Sequence, residues 1–175
     1  MQLVLPSVTY KKSFLEALQE YQSVKADDRL DIYELSLLGL QADFPKYIKN
    51  LLSESSGKNL PQGYVPQTTY WLIDNDEFIG RLSVRHMLTD SLLKFGGHIG
   101  YDIRPAKRQM GYGKKILALG LVRAEALGIE KALITCDVTN IASKKIIEAN
   151  GGVFEDSIDM GEDNPRKLRY WITLR

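Results

Sequence analysis

Residues 97 to 152 read as strand, basic loop, glycine-rich helix start, helix, strand and second helix, and that order restricts the chain to a layered α/β arrangement. The first part, Gly97 to Gly113, is GHIGYDIRPAKRQMGYG. An extended run ends at Pro105, a basic stretch follows, and Gly111 and Gly113 open a helix. The first turn of a helix leaves N–H groups without intrahelical partners, and glycine lets an oxyanion approach them. A cradle for a phosphate-bearing ligand, of diphosphate size, is therefore expected here.

The helix is expected over Gly111 to Leu127, with Ile116, Leu117, Gly120, Leu121, Ala124 and Leu127 on one face and Gly128 ending it. Lys131 to Cys136 then forms a short apolar strand. Right-handed crossover geometry predicts that it pairs in parallel with Gly97 to Ile103. Asn140 to Asn150 forms a further helix, closed by Gly151 and Gly152.

Upstream, Leu3 to Leu5 is a short strand halted by Pro6, and a helix follows to about Tyr21. Ala42 to Leu52 repeats the helical pattern, with Asp43 as its cap and Pro45 in its first turn. VPQTTYWLI and FIGRLSVRHML flank the polar turn Asp74 to Glu77 and predict a hairpin, although Ile79, Leu82 and Val84 alternate imperfectly. Val153 to Met160 and Leu168 to Leu174 predict a closing antiparallel hairpin. The 175 residues, 44% apolar, suit one domain over 1–175.

The 23 basic and 22 acidic residues give no general attraction to nucleic acid or to an anionic membrane. A lone Cys136 excludes an intrachain disulfide framework and suits a reducing compartment. The two histidines, His86 and His98, carry no metal-site spacing, and no metal is expected. The apolar runs are too short for a spanning helix, so a cytoplasmic location is expected. A dinucleotide fold would need GxGxxG after an early strand and a following acidic residue, and a P-loop would need GxxxxGK[ST]; neither is present.

Arg108-Gln-Met-Gly111-Tyr-Gly113 resembles the Arg/Gln-x-x-Gly-x-Gly/Ala motif of the GNAT superfamily of acyl-CoA-dependent N-acetyltransferases. The resemblance extends over IGYDIRP, ILALGLVRAEALGI, ALITC and NIASKKIIEANGG, roughly positions 97 to 152. More narrowly, YWLIDND, GRLSVRH and GGHIGYDIRP resemble a bacterial group of predicted acetyltransferases. The fold so implied is α/β of the α+β type: a mixed, mostly antiparallel sheet flanked by helices, in which a parallel pair of fourth and fifth strands splays to admit CoA.

By that resemblance acetyl-CoA is the cosubstrate. Ile103 meets the pantetheine, and Arg108, Gln109, Met110, Gly111, Tyr112 and Gly113 hold the diphosphate. Lys114 adds positive charge, Arg104 and Lys107 reach toward the adenosine phosphate, and Asn140 and Ser143 position the reacting end. Asn140 is equally a helix cap. The acetyl group would pass to a primary amine by direct attack in a ternary complex. The oxyanion needs a donor, and the leaving thiolate needs a proton.

The family often places a tyrosine where this chain has Ile147, which leaves Tyr101, Tyr170 or water to protonate the thiolate. His98 is the candidate for proton removal, with Asp102 either orienting it or a water or simply bonding Arg104, and Asp137 is a further catalytic candidate just beyond the fifth strand; strand alternation puts His98 and Asp102 on one face with Tyr101 on the other. Cys136 reads more readily as a small core residue than as a nucleophile. The resemblance builds the acceptor cleft from regions containing Glu20, Tyr21, Asp27, Asp28, Tyr33, Glu34 and GEDNPRK. A small-molecule or peptide amine is the expected acceptor, to a monomer or homodimer, with no nucleic acid or membrane partner. The alternative is a catalytically weak CoA-binding sensor or interaction module.

Overall fold

A computed structural model of the chain describes residues 1–24, 35–58 and 60–174. Its elements are β1 (Gln2–Val4), α1 (Lys11–Ser23), α2 (Leu37–Ala42), α3 (Phe44–Ser53), β2 (Gln67–Asp74), β3 (Glu77–Arg85) and β4 (Ile99–Ile103). Then come α4 (Tyr112–Ala126), β5 (Lys131–Asp137), α5 (Ile141–Ala149), β6 (Val153–Ile158) and β7 (Lys167–Thr173). Asp27, Asp28, Tyr33 and Glu34 lie outside the described residues.

Two antiparallel sheets result, ordered β1-β2-β3-β4 and β5-β7-β6. The expected parallel pair of fourth and fifth strands is not formed: β4 pairs with β3, β5 pairs with β7, and both pairings are antiparallel. The crossover rule governs strands of one sheet, and α4 instead carries the chain from one sheet to the other. At the junction, the backbone of Gly97 runs so close to β5 that a Cβ there would stand 2.5 Å from the Leu133 carbonyl oxygen. His98 N–H donates to Leu133 O at 2.7 Å, and the Leu133 N–H donates to His98 Nδ1 rather than to a strand carbonyl, at 2.9 Å. A side chain thus occupies the donor that would begin a ladder, and β7 takes the other edge of β5.

The β2–β3 hairpin turns through Asn75 and Asp76, both at positive φ, as a tight two-residue turn requires. Its register shifts between Leu72 and Ile73, which face Gly80 and Phe78. That bulge accounts for the broken alternation in β3: Phe78 joins the cluster on one sheet face, while Ile79, Leu82 and Val84 join the other. Asp43 caps α3 by accepting the Lys46 N–H at 3.0 Å, as its position in the sequence suggests.

Each face of the first sheet holds its own core. On one side Ile116, Leu117 and Ala124 of α4 pack with Leu82, Val84 and residues of the second sheet. On the other, α1, α2 and α3 surround Trp71, which stacks on Phe14 at 4.7 Å and meets Phe78 edge-on at 5.3 Å. Aromatic packing of this kind adds about 1 kcal/mol per pair beyond area burial. It fixes the helices of the first third of the chain over the sheet face that carries Arg81 and Asp102.

Candidate active site

The end of β4 leads through the turn Pro105–Lys107 into the loop before α4. Gln109 (φ 61°) and Gly111 (φ 86°) both take left-handed backbone, which folds the loop over the helix start. No side chain caps α4, and the space beside Gly111 is open. Arg108, Gln109, Met110 and Gly111 are exposed, so the first-turn amides of α4 present a positive helix end at the surface. Arg108 Nε donates to Ile103 O at 3.1 Å and ties this loop to β4.

The two glycines have different tasks. Gly111 supplies the turn, whereas a Cβ on buried Gly113 would stand 2.4 Å from Ile146 Cδ1. Gly113 therefore lets α4 and α5 touch. Tyr112 donates to Asp74 at 2.9 Å, and Lys114 is exposed, its carbonyl accepting from Asn150.

From the His98–Leu133 junction a seam runs between the sheets. Among the described residues that junction is the one place where a main-chain hydrogen bond joins the β4 segment to β5. Arg104 N–H donates to Ile79 O, so the alternation of the ladder turns the amide and carbonyl of Tyr101 away from β3 and toward the seam. The Tyr101 side chain reaches α5, where its hydroxyl lies 3.0 Å from Ser143 Oγ. Burial raises the Tyr101 phenol, which stays protonated. Ser143 sits in the first turn of α5, its N–H held by Asn140 Oδ1 at 3.0 Å. Asn140 is therefore a cap.

Asp102 lies on the opposite face of β4, buried, accepting from Arg81 Nε at 2.9 Å and from the hydroxyl of Tyr21. Burial, then the charge of Asp102, raises Tyr21 far above the normal phenol range. Asp102 and Arg81 border a cavity of 410 Å³ floored by Gln67, Thr69, Ser83, Arg85 and Gly100, with Leu51 and Glu54 among its other lining residues. This cavity adjoins Tyr101, so the seam and the cavity meet at the middle of β4.

The candidates His98, Asp102 and Asp137 are all engaged. Asp137 is paired with Lys167. His98 is lowered below the ordinary imidazole value by burial, then by the charge of Arg85. With Nδ1 accepting from Leu133, its neutral ring carries the proton on Nε2. Cys136 is buried and pushed up to about 11 by burial, then by the charge of Asp137, so its thiol stays protonated.

Arg104 is internal rather than at a phosphate mouth. It is 7% exposed and spans Glu20 (2.7 Å) and Glu77 (3.0 Å), while Lys107 also meets Glu77, at 2.6 Å. Glu20 further accepts the Ala106 N–H. Burial pushes the Glu20 carboxyl up, but the Arg104 and Ala106 hydrogen bonds outweigh it and hold the group below its ordinary value. Ile147 is wholly buried in the core. Sequence reasoning did not find Arg81, Ser83, Arg85, Gln67 and Glu54; for the first four, polar alternation along β2 and β3 was the available signal, while Glu54, just after α3, had none.

An exposed helix start thus lies beside a seam, with a polar cavity on the far face of the same strand. The chain belongs to the Acetyltransferase (GNAT) domain family, whose profile matches residues 24–153. No curated protein sequence matches it. Among solved structures it is similar to RimL, the ribosomal L7/L12 alpha-N-protein acetyltransferase, in complex with coenzyme A as a CoA–cysteine disulfide (17% identity, TM-score 0.72, covering 98% of this chain and 93% of that one). It is also similar to the microcin C7 self-immunity acetyltransferase MccE in complex with acetyl-CoA and AMP (14%, TM-score 0.71, 98% and 91%). A third is a chimera of the spermidine N-acetyltransferase SpeG from Vibrio cholerae with hSSAT (14%, TM-score 0.64, 99% and 96%). These likenesses show a shared fold. Among the described residues no group of three or more His, Cys, Asp or Glu side chains is arranged to hold a metal ion, and no helix is long and apolar enough to cross a membrane.

Proposed function

We propose that this chain transfers the acetyl group of acetyl-CoA to a primary amine by direct attack in a ternary complex. The observation that carries this reading is the meeting of two sites at one strand: Tyr101 faces the seam that leads to the α4 start, and Asp102 faces the polar cavity. The residues present fit acetyl-CoA. Family membership and the solved complexes of RimL and MccE with CoA and acetyl-CoA support the same cosubstrate.

The amides of Tyr112 and Gly113 would take the diphosphate, with Arg108 and Lys114 adding charge. The seam beside Ile103 and Tyr101 would receive the pantetheine arm, and bound acetyl-CoA supplies an activated thioester. The Tyr101 main-chain N–H is the oxyanion donor in this reading, fixed before the acceptor arrives.

Nucleophilic attack forms the C–N bond, and collapse of the tetrahedral centre breaks the C–S bond. Ser143 Oγ would give its proton to the departing sulfur and be re-protonated through Tyr101, which recovers a proton from solvent as the attacking nitrogen releases its own to water in the cavity. The positive end of α5 favours the same developing thiolate. This hydroxyl pair supplies a proton donor that Ile147 lacks. On the acceptor side, Asp102 lines the cavity beside Arg81, Asp137 is held by Lys167 at the end of β5, and His98 acts as a positioning residue that keeps the seam from closing into a ladder.

The test is acetyl-CoA titration by calorimetry, followed by thiol release and product mass across primary amines and free peptide amino ends. Micromolar binding with a mass gain of one acetyl group is expected. Binding without transfer to any amine would overturn the reading.

A further inference from the structure

A second cavity, of 640 Å³, lies beside the first, and Leu51 and Thr69 line both. It is bounded by Leu5, Leu52, Tyr70 and Arg123 as well. Among the described residues, β1 pairs with β2 only at Trp71, Leu72 and Ile73, and no other strand lies along residues 67–70 of β2 on that side. The open edge of β2 therefore passes along the boundary between the two cavities.

Resting on the acetyl-transfer reading above, we propose that both cavities form one groove for the amino-terminal segment of a polypeptide acceptor, bound in extended form. The first cavity runs along its floor from Arg81 beside Asp102 to Arg85 opposite Gln67. Those four strand steps measure about 13 Å, the length of about four extended residues. The floor offers a polar group at every second residue of β3, Arg81, Ser83 and Arg85, with the Ser83 hydroxyl paired to that of Thr69 at 3.0 Å, which suits peptide amides.

The fifth and later residues of the acceptor would lie along the open edge of β2, where main-chain groups are the natural partners of another extended chain. Beyond the edge the lining changes character. Leu5, Leu51, Leu52 and Tyr70 offer apolar surface, and the guanidinium of Arg123 lies 5.4 Å from the Tyr70 ring centroid. An apolar side chain followed by an acidic one complements that pattern. The charged side chains of the first cavity, Arg81 and Arg85 with Glu54 and Asp102, sum to zero, which suits neutral peptide backbone better than a polycation.

The experiment uses the full chain loaded with CoA and two fluorescent peptides with free amino ends. One is an octapeptide with serine and threonine at positions one to five, leucine at six and seven and aspartate at eight; the other is its first four residues. Fluorescence anisotropy is expected to show the octapeptide binding about tenfold tighter, a difference of about 1.4 kcal/mol. Leu5→Glu and Leu52→Glu change side chains that are 52% and 40% exposed, so the fold tolerates them, and each is expected to erase the length advantage. Equal affinity for both lengths, no binding of either, or a length advantage that survives both substitutions would overturn the groove. Acetyl-CoA binding by the unaltered protein is measured alongside: its absence sinks the acetyl-transfer reading, while its presence without length dependence sinks the groove alone.

Discussion

The two sides of β4 are built by different means. On the side of Tyr101, the parts that matter are a helix start, a left-handed glycine and an amide turned toward a seam, all of which follow from backbone conformation over one short stretch. On the side of Asp102, the parts are side chains brought together from distant segments: Tyr21 is 81 residues from Asp102, and Glu20 is 84 from Arg104. A main-chain site tolerates changes of side chain provided the turns survive. A site of paired charges depends on every partner.

The sharpest way to break this contrast is at the hydroxyl pair. Ser143→Ala is expected to lower kcat by about 10²- to 10³-fold with acetyl-CoA affinity unchanged, measured by thiol release and calorimetry. Adding Tyr101→Phe to Ser143→Ala should then lower it little further, because the two act in series. Independent, multiplying losses would show that the hydroxyls do not form a relay.

Next in size is the charged side. Asp102→Asn leaves Arg81, itself 12% exposed, without its carboxylate and is expected to destabilise the fold by about 3 kcal/mol in urea unfolding. A change within a few tenths of a kcal/mol would mean that the pair is dispensable.

Gly97→Ala tests the junction. It combines left-handed backbone with a Cβ that meets a main-chain carbonyl, and a cost of about 2 kcal/mol is expected. Gly111→Ala, with open space around it, should cost only about 1 kcal/mol, so the ratio of the two sharpens the distinction between crowding and backbone strain.

The smallest effect is on pH. His98 is neutral in the fold and lowered from 6.5, so the unfolded chain binds the extra proton and stability falls as pH drops below about 6.5. His98→Gln, which keeps an acceptor for the Leu133 N–H, should flatten that part of the melting-temperature profile. An unchanged profile would place the sensitivity in another group.

The contrast also explains what the sequence disclosed. The span of α4, the Asp43 cap, the hairpin turn at Asn75 and Asp76 and the closing hairpin are set by neighbours within a few residues, and all stand where the pattern put them. The capture of the Leu133 N–H by the His98 side chain joins residues 35 apart and has no local signature, so a parallel partner for β4 was the natural expectation and the wrong one. Arg104 shows the same limit. Its place in a basic loop suggests a phosphate ligand, while Glu20 and Glu77 draw it inward.

Glu20 grips both the Arg104 guanidinium and the Ala106 amide, so α1 and the turn that precedes the α4 loop are hitched to one carboxylate. In the proposed ternary complex, shifting that helix outward to make room for a bulky guest would tug on the very backbone proposed to cradle the diphosphate. The two guests of that proposal would then feel each other's arrival without touching.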